Sequence, residues 1–283
     1  MDLITSSHEK IKKTYNTQSS PLDEIKQLSI YCLEKLRKNT TRITYSHTGN
    51  KRYFIFINDN KKSRPINQYL LIQNSEVFSN LWDVFIESLD LSDSKSSLLR
   101  VDINRVVYTS IISFSACFDI WKPKSRKVPG THFEILVGSL LTQLIPKFSR
   151  SKFISLPKQT EKVTTDIVFD NGEIGLIFPA KITTRERIVQ PYAHQRILDS
   201  IFGESRYKTC LLCVSETQRD DRKALVNDIC VPGTIKLYQD HLSKLSGLYY
   251  LDPPKRYTDS DITDRINVGD YGQLFRTDLN KLI

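Results

Sequence analysis

Residues 163–181 constrain the fold of this chain more than any other stretch. Val163-Thr164-Thr165-Asp166-Ile167-Val168-Phe169 favours strand, and Ile174 to Lys181 is a second strand-like run, apolar on both faces. Between them, Asp170-Asn171-Gly172-Glu173 is a strong hairpin signal. Two registers are open. A turn at Asn171-Gly172 sets Asp166 opposite Ile177, and a turn at Gly172-Glu173 sets it opposite Pro179. They differ by two residues, so Asp166 and Lys181 share a sheet face in both. Only the second makes Lys181 the diagonal neighbour of Asp166, roughly 7–8 Å away. The first separates them by about 13 Å along the strand. A longer loop, or a bulge at Gly175 or Pro179, would also close that gap, and Pro179 has no N–H to give a ladder.

Around this hairpin the chain alternates. Thr131 to Leu144 reads as an amphipathic helix, Phe153 to Leu156 as a strand, and Pro191 to Phe202 as a helix with Pro at its start and Gly203 past its end. Lys208 to Val214 is a near-continuous apolar strand of the kind buried on both faces. Helices are expected over Arg222 to Ile229 and Thr234 to Leu245. This alternation predicts an α/β fold, with a mixed central sheet flanked by helices over residues 126–283.

Residues 1–125 read as a separate α+β region, largely helical, that could serve as a contacting arm. The first 20 or so residues are polar and expected to fray. Pro21 to Arg37 reads as a helix capped by Ser20. Strands follow at Arg42 to Tyr45 and Arg52 to Ile57 around a Gly49-Asn50 turn, with a third at Tyr69 to Ile72. Helices are expected near Glu76 to Leu89 and Leu98 to Trp121.

The 283 residues carry 41 Lys and Arg against 32 Asp and Glu, a net charge of +9. That excess suits a polyanionic partner, nucleic acid or an acidic membrane surface. Val106 to Phe118 is too short to span a bilayer and reads as a buried helix. Met1 to Lys13 lacks the apolar core of a secretory signal, and the cysteine count is odd. Both set an expectation of a reducing cytoplasm. Cys210 and Cys213 form a CxxC, but inside an apolar strand, with no second pair nearby, they read as buried thiols and not as a zinc site.

Three charges fall where burial is expected. Glu134 interrupts the apolar stripe of its helix, Asp166 lies within its strand, and Lys181 ends an apolar one. Gly138, one turn after Glu134 on the same face, would admit a close backbone. A buried charge is costly unless it is paired or binds a metal.

Asp166, a hairpin, then Pro179-Ala180-Lys181, with Glu134 on an upstream helix, resembles the PD-(D/E)xK nuclease core. Lys181-Ile182-Thr183-Thr184-Arg185-Glu186-Arg187 is similar, more narrowly, to the type II restriction endonucleases that cut at CCGG-containing sites. In those enzymes an Arg-(Asp/Glu)-Arg element follows the catalytic lysine. The resemblance covers about residues 130 to 200. Two positions depart from it. Pro179 stands where an acid is expected, and Thr165 precedes Asp166 where Pro is common.

The resemblance implies Mg²⁺-dependent hydrolysis of double-stranded DNA. Asp166 and Glu134 would be the metal ligands, with Glu173 the second choice for the displaced carboxylate and Gln195 at most a weak neutral ligand. Lys181 would hold the scissile phosphate and stabilise the transition state. Arg185 and Arg187 could each bond guanine, and Glu186 could accept from cytosine. Lys124, Arg126 and Lys127, together with Lys122, Lys147, Arg150 and Lys152, suit phosphate contacts. The family also implies a homodimer on a palindrome and a protecting DNA methyltransferase.

Two alternatives stay open at this stage. A non-catalytic DNA-binding protein would keep the basic surface without needing Glu134, Asp166 and Lys181 to converge. A structure-selective or repair nuclease would use Arg-Glu-Arg on phosphates.

Overall fold

The computed structural model describes residues 2–47, 49, 51–89, 99–125 and 127–283, with only the backbone described at Arg185 and Glu186. In chain order the elements are helices α1 (Leu3–Asn16) and α2 (Leu22–Asn39), strands β1 (Thr41–His47), β2 (Tyr53–Asn58), β3 (Lys61–Lys62) and β4 (Ile66–Asn67), and helices α3 (Ser75–Glu87), α4 (Arg100–Trp121) and α5 (Val128–Leu144). Then come β5 (Ser149–Ser155), β6 (Lys162–Asp170), β7 (Gly175–Ile177), β8 (Ala180–Lys181), a 3-10 turn (Arg185–Ile188), α6 (Val189–Phe202), β9 (Tyr207–Ser215), β10 (Thr217–Asp220), β11 (Leu225–Asp228), α7 (Pro232–His241) and β12 (Gly247–Asp252). Short helical pieces and β13 (Val268–Gly269) complete the chain. It divides into two compact units: residues 1–143 with 217–228, and residues 144–216 with 229–283.

In the first unit α4 is the central helix. Its residues from Ile103 to Ile120 are almost all buried, and it packs on α2 and α3. Small hydroxyls ease the approach: Ser29 of α2 and Ser110 of α4 meet oxygen to oxygen at 2.7 Å. No helix among the described residues is long and apolar enough to cross a membrane. The sheet of this unit runs β10-β11-β1-β2-β3, with β4 also on β2.

Four expectations for this unit are corrected. The N-terminal stretch does not fray: Asp2 caps α1 by accepting the Ile4 N–H, and Ile4, His8, Ile11 and Tyr15 form a buried stripe. That stripe hides in the sequence because His8 looks polar. Its Nδ1 lies 3.2 Å from Nδ1 of buried His132, whose ring stacks on Phe114. Burial pushes the His8 imidazole down to about 4 and holds His132 well below its ordinary value. What approaches Gly138 is the Tyr15 side chain, not a backbone. Tyr69 to Ile72 is a turn and coil, because the Ile72 N–H goes to Thr109 Oγ1 of α4 and not to a strand. Residues 222–229 are not a helix. Asp220 accepts the N–H groups of Arg222 and Lys223, Ala224 takes φ +48°, and the chain closes the β10–β11 hairpin. Here sheet pairing overrides local helix preference. Of the expected Gly49-Asn50 turn, Asn50 lies outside the described residues, as does Leu98 before α4.

The second unit is a mixed sheet in the order β13-β12-β9-β7-β6-β5, with β8 also on β9. β9 is its spine, parallel to β7, β8 and β12. Its residues Cys210 to Val214 are fully buried, with Cys210 and Cys213 free thiols as the sequence implied. On one face, Leu211 and Cys213 pack with Tyr192 of α6, Ile235 of α7 and Tyr250 of β12. A second cluster joins Val163, Val168 and Ile177 to Leu198 of α6.

The hairpin takes the Gly172-Glu173 register. Val168 pairs with Ile177, Phe169 with Leu176 and Asp170 with Gly175, and Phe178 N–H continues the ladder to Ile167 O at 2.9 Å. Asp170 fixes the turn end by accepting from Arg206 and the Tyr207 hydroxyl. The expected strand from Ile174 to Lys181 is split at Phe178-Pro179, where proline can give no ladder bond. Both pieces nevertheless keep one register against β9. The bulge is not at Gly175 or Pro179. Between Ser151·Val168 and Phe153·Thr164, β5 advances two residues while β6 advances four, so the irregularity falls on Thr165-Asp166-Ile167.

Candidate active site

The bulge and the split strand together bring Asp166 to Lys181. Past Ile167 the β6–β7 ladder ends, and the next N–H, from Ala180, turns to the Asp166 carboxylate and donates to Oδ2 at 2.8 Å. Lys181 Nζ donates to the same oxygen at 2.7 Å. Both side chains are about 20% exposed, neither sealed in nor free in solvent. A bulge re-aims a side chain, and here it does so at a carboxylate. On the far side of Lys181, β8 is held to β9 by Lys181·Cys213 pairing and by Leu212 N–H to Pro179 O at 2.9 Å.

The pair opens on a cavity of about 170 Å³, lined also by Thr164, Thr165, Pro179, Gln190, Pro191 and His194. Gln190 and His194 come from the start of α6, and sequence reasoning missed both. The only signal was their spacing of one helical turn in the segment after Lys181. Burial, then the Lys181 charge, hold the His194 imidazole below its ordinary value, with Asp166 opposing. His194 is therefore neutral at neutral pH.

Gln195 does not face this cavity. Its amide donates to Asp199 and to the Tyr207 carbonyl. Glu173 is exposed at the hairpin tip, about six residues or ~20 Å along the strand from Asp166. Glu134 is half-buried on α5, in the first unit. Arg187 is exposed on the 3-10 turn that follows Lys181, while the side chains of Arg185 and Glu186 lie outside the described residues. Lys124 and Lys127 are exposed in the α4–α5 connection, and Arg126 lies outside the described residues.

Among the described residues, no cluster of three or more His, Cys, Asp or Glu side chains could hold a metal by itself. A hard divalent cation does not need one. Mg²⁺ takes one or two carboxylates and completes its shell with water and phosphate oxygens. Asp166 offers such an oxygen beside an open polar cavity, and Oδ1 accepts no hydrogen bond among the described residues. The residues present fit one protein ligand of such an ion.

The crystal structure of the Type IIP restriction endonuclease Kpn2I matches this chain with a TM-score of 0.89 at 36% sequence identity, covering 99% of this chain and 97% of that one. The chain belongs to the type II restriction endonucleases. It is thus a DNA-hydrolysing enzyme that cuts at specific sites, and the readings as a non-catalytic binder or a repair nuclease are set aside. The restriction endonuclease PspGI, solved with its substrate DNA, is a remote match at 12% identity and a TM-score of 0.44, over 74% of this chain and 92% of that one. No family model and no curated protein matches the chain.

Proposed function

We propose that this restriction endonuclease has a PD-(D/E)xK-type centre and hydrolyses double-stranded DNA, with Mg²⁺, at a palindromic G·C-rich site containing CCGG. The observation that carries the reading is the 2.7 Å contact of Lys181 Nζ with Asp166 beside the cavity. Asp166 would hold the ion, with Glu134 our candidate for the second carboxylate. The bound ion supplies positive charge against the charge building on the phosphate and acidifies water. Lys181 shifts from Asp166 onto a non-bridging oxygen of the scissile phosphate, orients the attacking water and stabilises the developing charge. Neutral His194 and Gln190 line the space where that phosphate sits.

Arg185, Glu186 and Arg187 read the G·C pairs. Their position directly after the Lys181 strand supports this, since guanine takes arginine bidentately and cytosine offers a donor to a carboxylate. Lys124, Arg126 and Lys127 touch phosphates and position the duplex. The working form is a homodimer with one site per strand. It acts in the cytoplasm beside a DNA methyltransferase that shields host sites.

The test is digestion of a plasmid of known sequence with Mg²⁺, comparing wild type with Lys181→Ala. The expected result is discrete fragments ending at CCGG-containing sites, lost in the variant. Fragments mapping to unrelated sites would overturn the sequence assignment, and undiminished cutting by Lys181→Ala would overturn the site.

A further inference from the structure

The segment carrying the Arg-Glu-Arg triplet is held by a carboxylate that the reading above does not use. Glu216 directly follows β9 and is fully buried. Its Oε1 accepts the Thr184 N–H at 2.8 Å, the Thr184 hydroxyl, and the Tyr250 hydroxyl at 3.3 Å. Its own backbone is fixed too, because its carbonyl accepts the Ile229 N–H at 2.8 Å. Burying a carboxylate is costly unless its oxygens are hydrogen-bonded, so the acid calls for a reason beyond filling space.

Its partner supplies one. Thr184 immediately precedes the 3-10 turn Arg185–Ile188, and the Thr184 carbonyl accepts the Arg187 N–H at 2.9 Å. The first residue of the triplet and the closing bond of its turn both hang from Thr184. The stretch back to Lys181 is tied to the same strand, through Ser215 N–H to Ile182 O at 3.2 Å and the Lys181·Cys213 pair. The end of β9 thus ties down both Lys181 and the Arg185–Ile188 turn, which begins four residues later.

We propose that Glu216 is a positioning residue for sequence recognition: its bonds to Thr184 fix the Arg185–Arg187 turn at a set offset from Lys181, so that cleavage depends on correct base contacts. A backbone N–H and a hydroxyl of one residue, both given to one oxygen, hold Thr184 at two points. They suit a joint that must not rotate, since a small rotation at Thr184 is magnified at the tips of two arginines. This inference rests on the triplet reading bases. A purely structural Glu216 would, when altered, slow cleavage of every duplex alike. A positioning Glu216 would lose discrimination.

The experiment measures kcat and KM of the full-length enzyme on a duplex carrying the site mapped by the plasmid digest, and on duplexes with one of its G·C pairs changed to A·T. The variants are Thr184→Val, Thr184→Ser, Glu216→Leu and Glu216→Gln, each checked by thermal melting. In Thr184→Val and Glu216→Leu, the preference for the intact site is expected to fall about tenfold or more, mainly through kcat. Thr184→Ser restores the hydroxyl and Glu216→Gln keeps an acceptor oxygen, so both should retain most of the preference. If Glu216→Leu does not fold, Thr184→Val and Thr184→Ser carry the test. An unchanged preference in folded variants that are slower on all duplexes overturns the proposal. Arg185→Ala and Arg187→Ala run alongside. If they too leave the preference intact, the base-reading assignment of the triplet fails and the proposal falls with it. If they collapse it while the Thr184 variants do not, only the proposal fails.

Discussion

Two aspartates of the second unit each pair with a lysine, and they are built in opposite ways. Asp278, near the C-terminus, is saturated. Its Oδ2 accepts from Tyr249, Asn267 and Gln273, and its Oδ1 from Thr277 and, at 2.9 Å, from Lys281. Those bonds outweigh burial and pull its carboxyl down to about 2. Among the described residues Asp166 receives only two donors, both on Oδ2, and it lines a cavity. A saturated carboxylate can do little but hold its neighbours together. A half-satisfied one beside open space keeps capacity for a cation or substrate. The ion-pair distances, 2.7 and 2.9 Å, do not tell the two apart. The remaining acceptor capacity does.

The sharpest way to break this contrast is at Lys181. Lys181→Ala should lower single-turnover cleavage about a thousandfold, the scale for losing a group that stabilises transition-state charge. Its melting temperature should stay close to wild type, since a partly exposed ion pair contributes little to stability. A large loss of stability with modest loss of rate would make Asp166–Lys181 a structural pair like the other. Asp278→Ala should do the reverse. It leaves the donors of Tyr249, Asn267 and Gln273 without their acceptor, at a cost of about 3 kcal/mol in urea unfolding, while cleavage by the folded fraction is unchanged.

A pH series sharpens the same point. The Asp278 carboxyl is near 2 when folded and near 3.9 when unfolded. Because the folded value is depressed, its stabilisation is complete above pH ~4 and is lost as pH falls through ~2. The gap in unfolding free energy between wild type and Asp278→Asn should therefore shrink by about 2 kcal/mol across that window. A constant gap would mean that the charge contributes nothing.

The site pair was legible in part, because some of its determinants are local. Turn chemistry at Asp170–Glu173 narrowed the hairpin to two registers, and strand alternation put Asp166 and Lys181 on one face in both, but the choice between the two was not written there. The central strand was equally plain, since Cys210 to Val214 is apolar without a break. What escaped depends on partners distant in sequence. The α1 stripe needs His8 to be buried, where it meets the equally buried His132. The β10–β11 hairpin exists because β11 pairs with β1, more than 170 residues earlier. His194 and Gln190 are ordinary polar residues on a helix until the cavity forms. Glu216 did leave a trace, an acid directly after a strand buried on both faces, the same kind of anomaly that singled out Lys181. The bulge at Asp166 had no local sign, because it arises from how β5 meets β6.

The smallest effects are expected at two glycines of α5, which repeat the contrast between filled and open surroundings without any charge. A Cβ on Gly138 would lie 2.1 Å from the Tyr15 hydroxyl and 3.0 Å from its ring carbon Cζ. Tyr15 is buried on α1, so its ring cannot swing aside freely. Gly138→Ala gains helix propensity of about 1 kcal/mol, yet overpacking costs typically 1–3 kcal/mol. The net expectation is a loss of roughly 1 kcal/mol. Gly130 sits in the first turn of α5, and a methyl added there would meet nothing within 4 Å. With no clash to offset the propensity gain, Gly130→Ala should be neutral or stabilise by less than about 1 kcal/mol. Urea midpoints of the two variants decide it. If Gly138→Ala matches Gly130→Ala, the α1–α5 contact is loose, and the N-terminal helix is not the fixed element that its buried stripe describes.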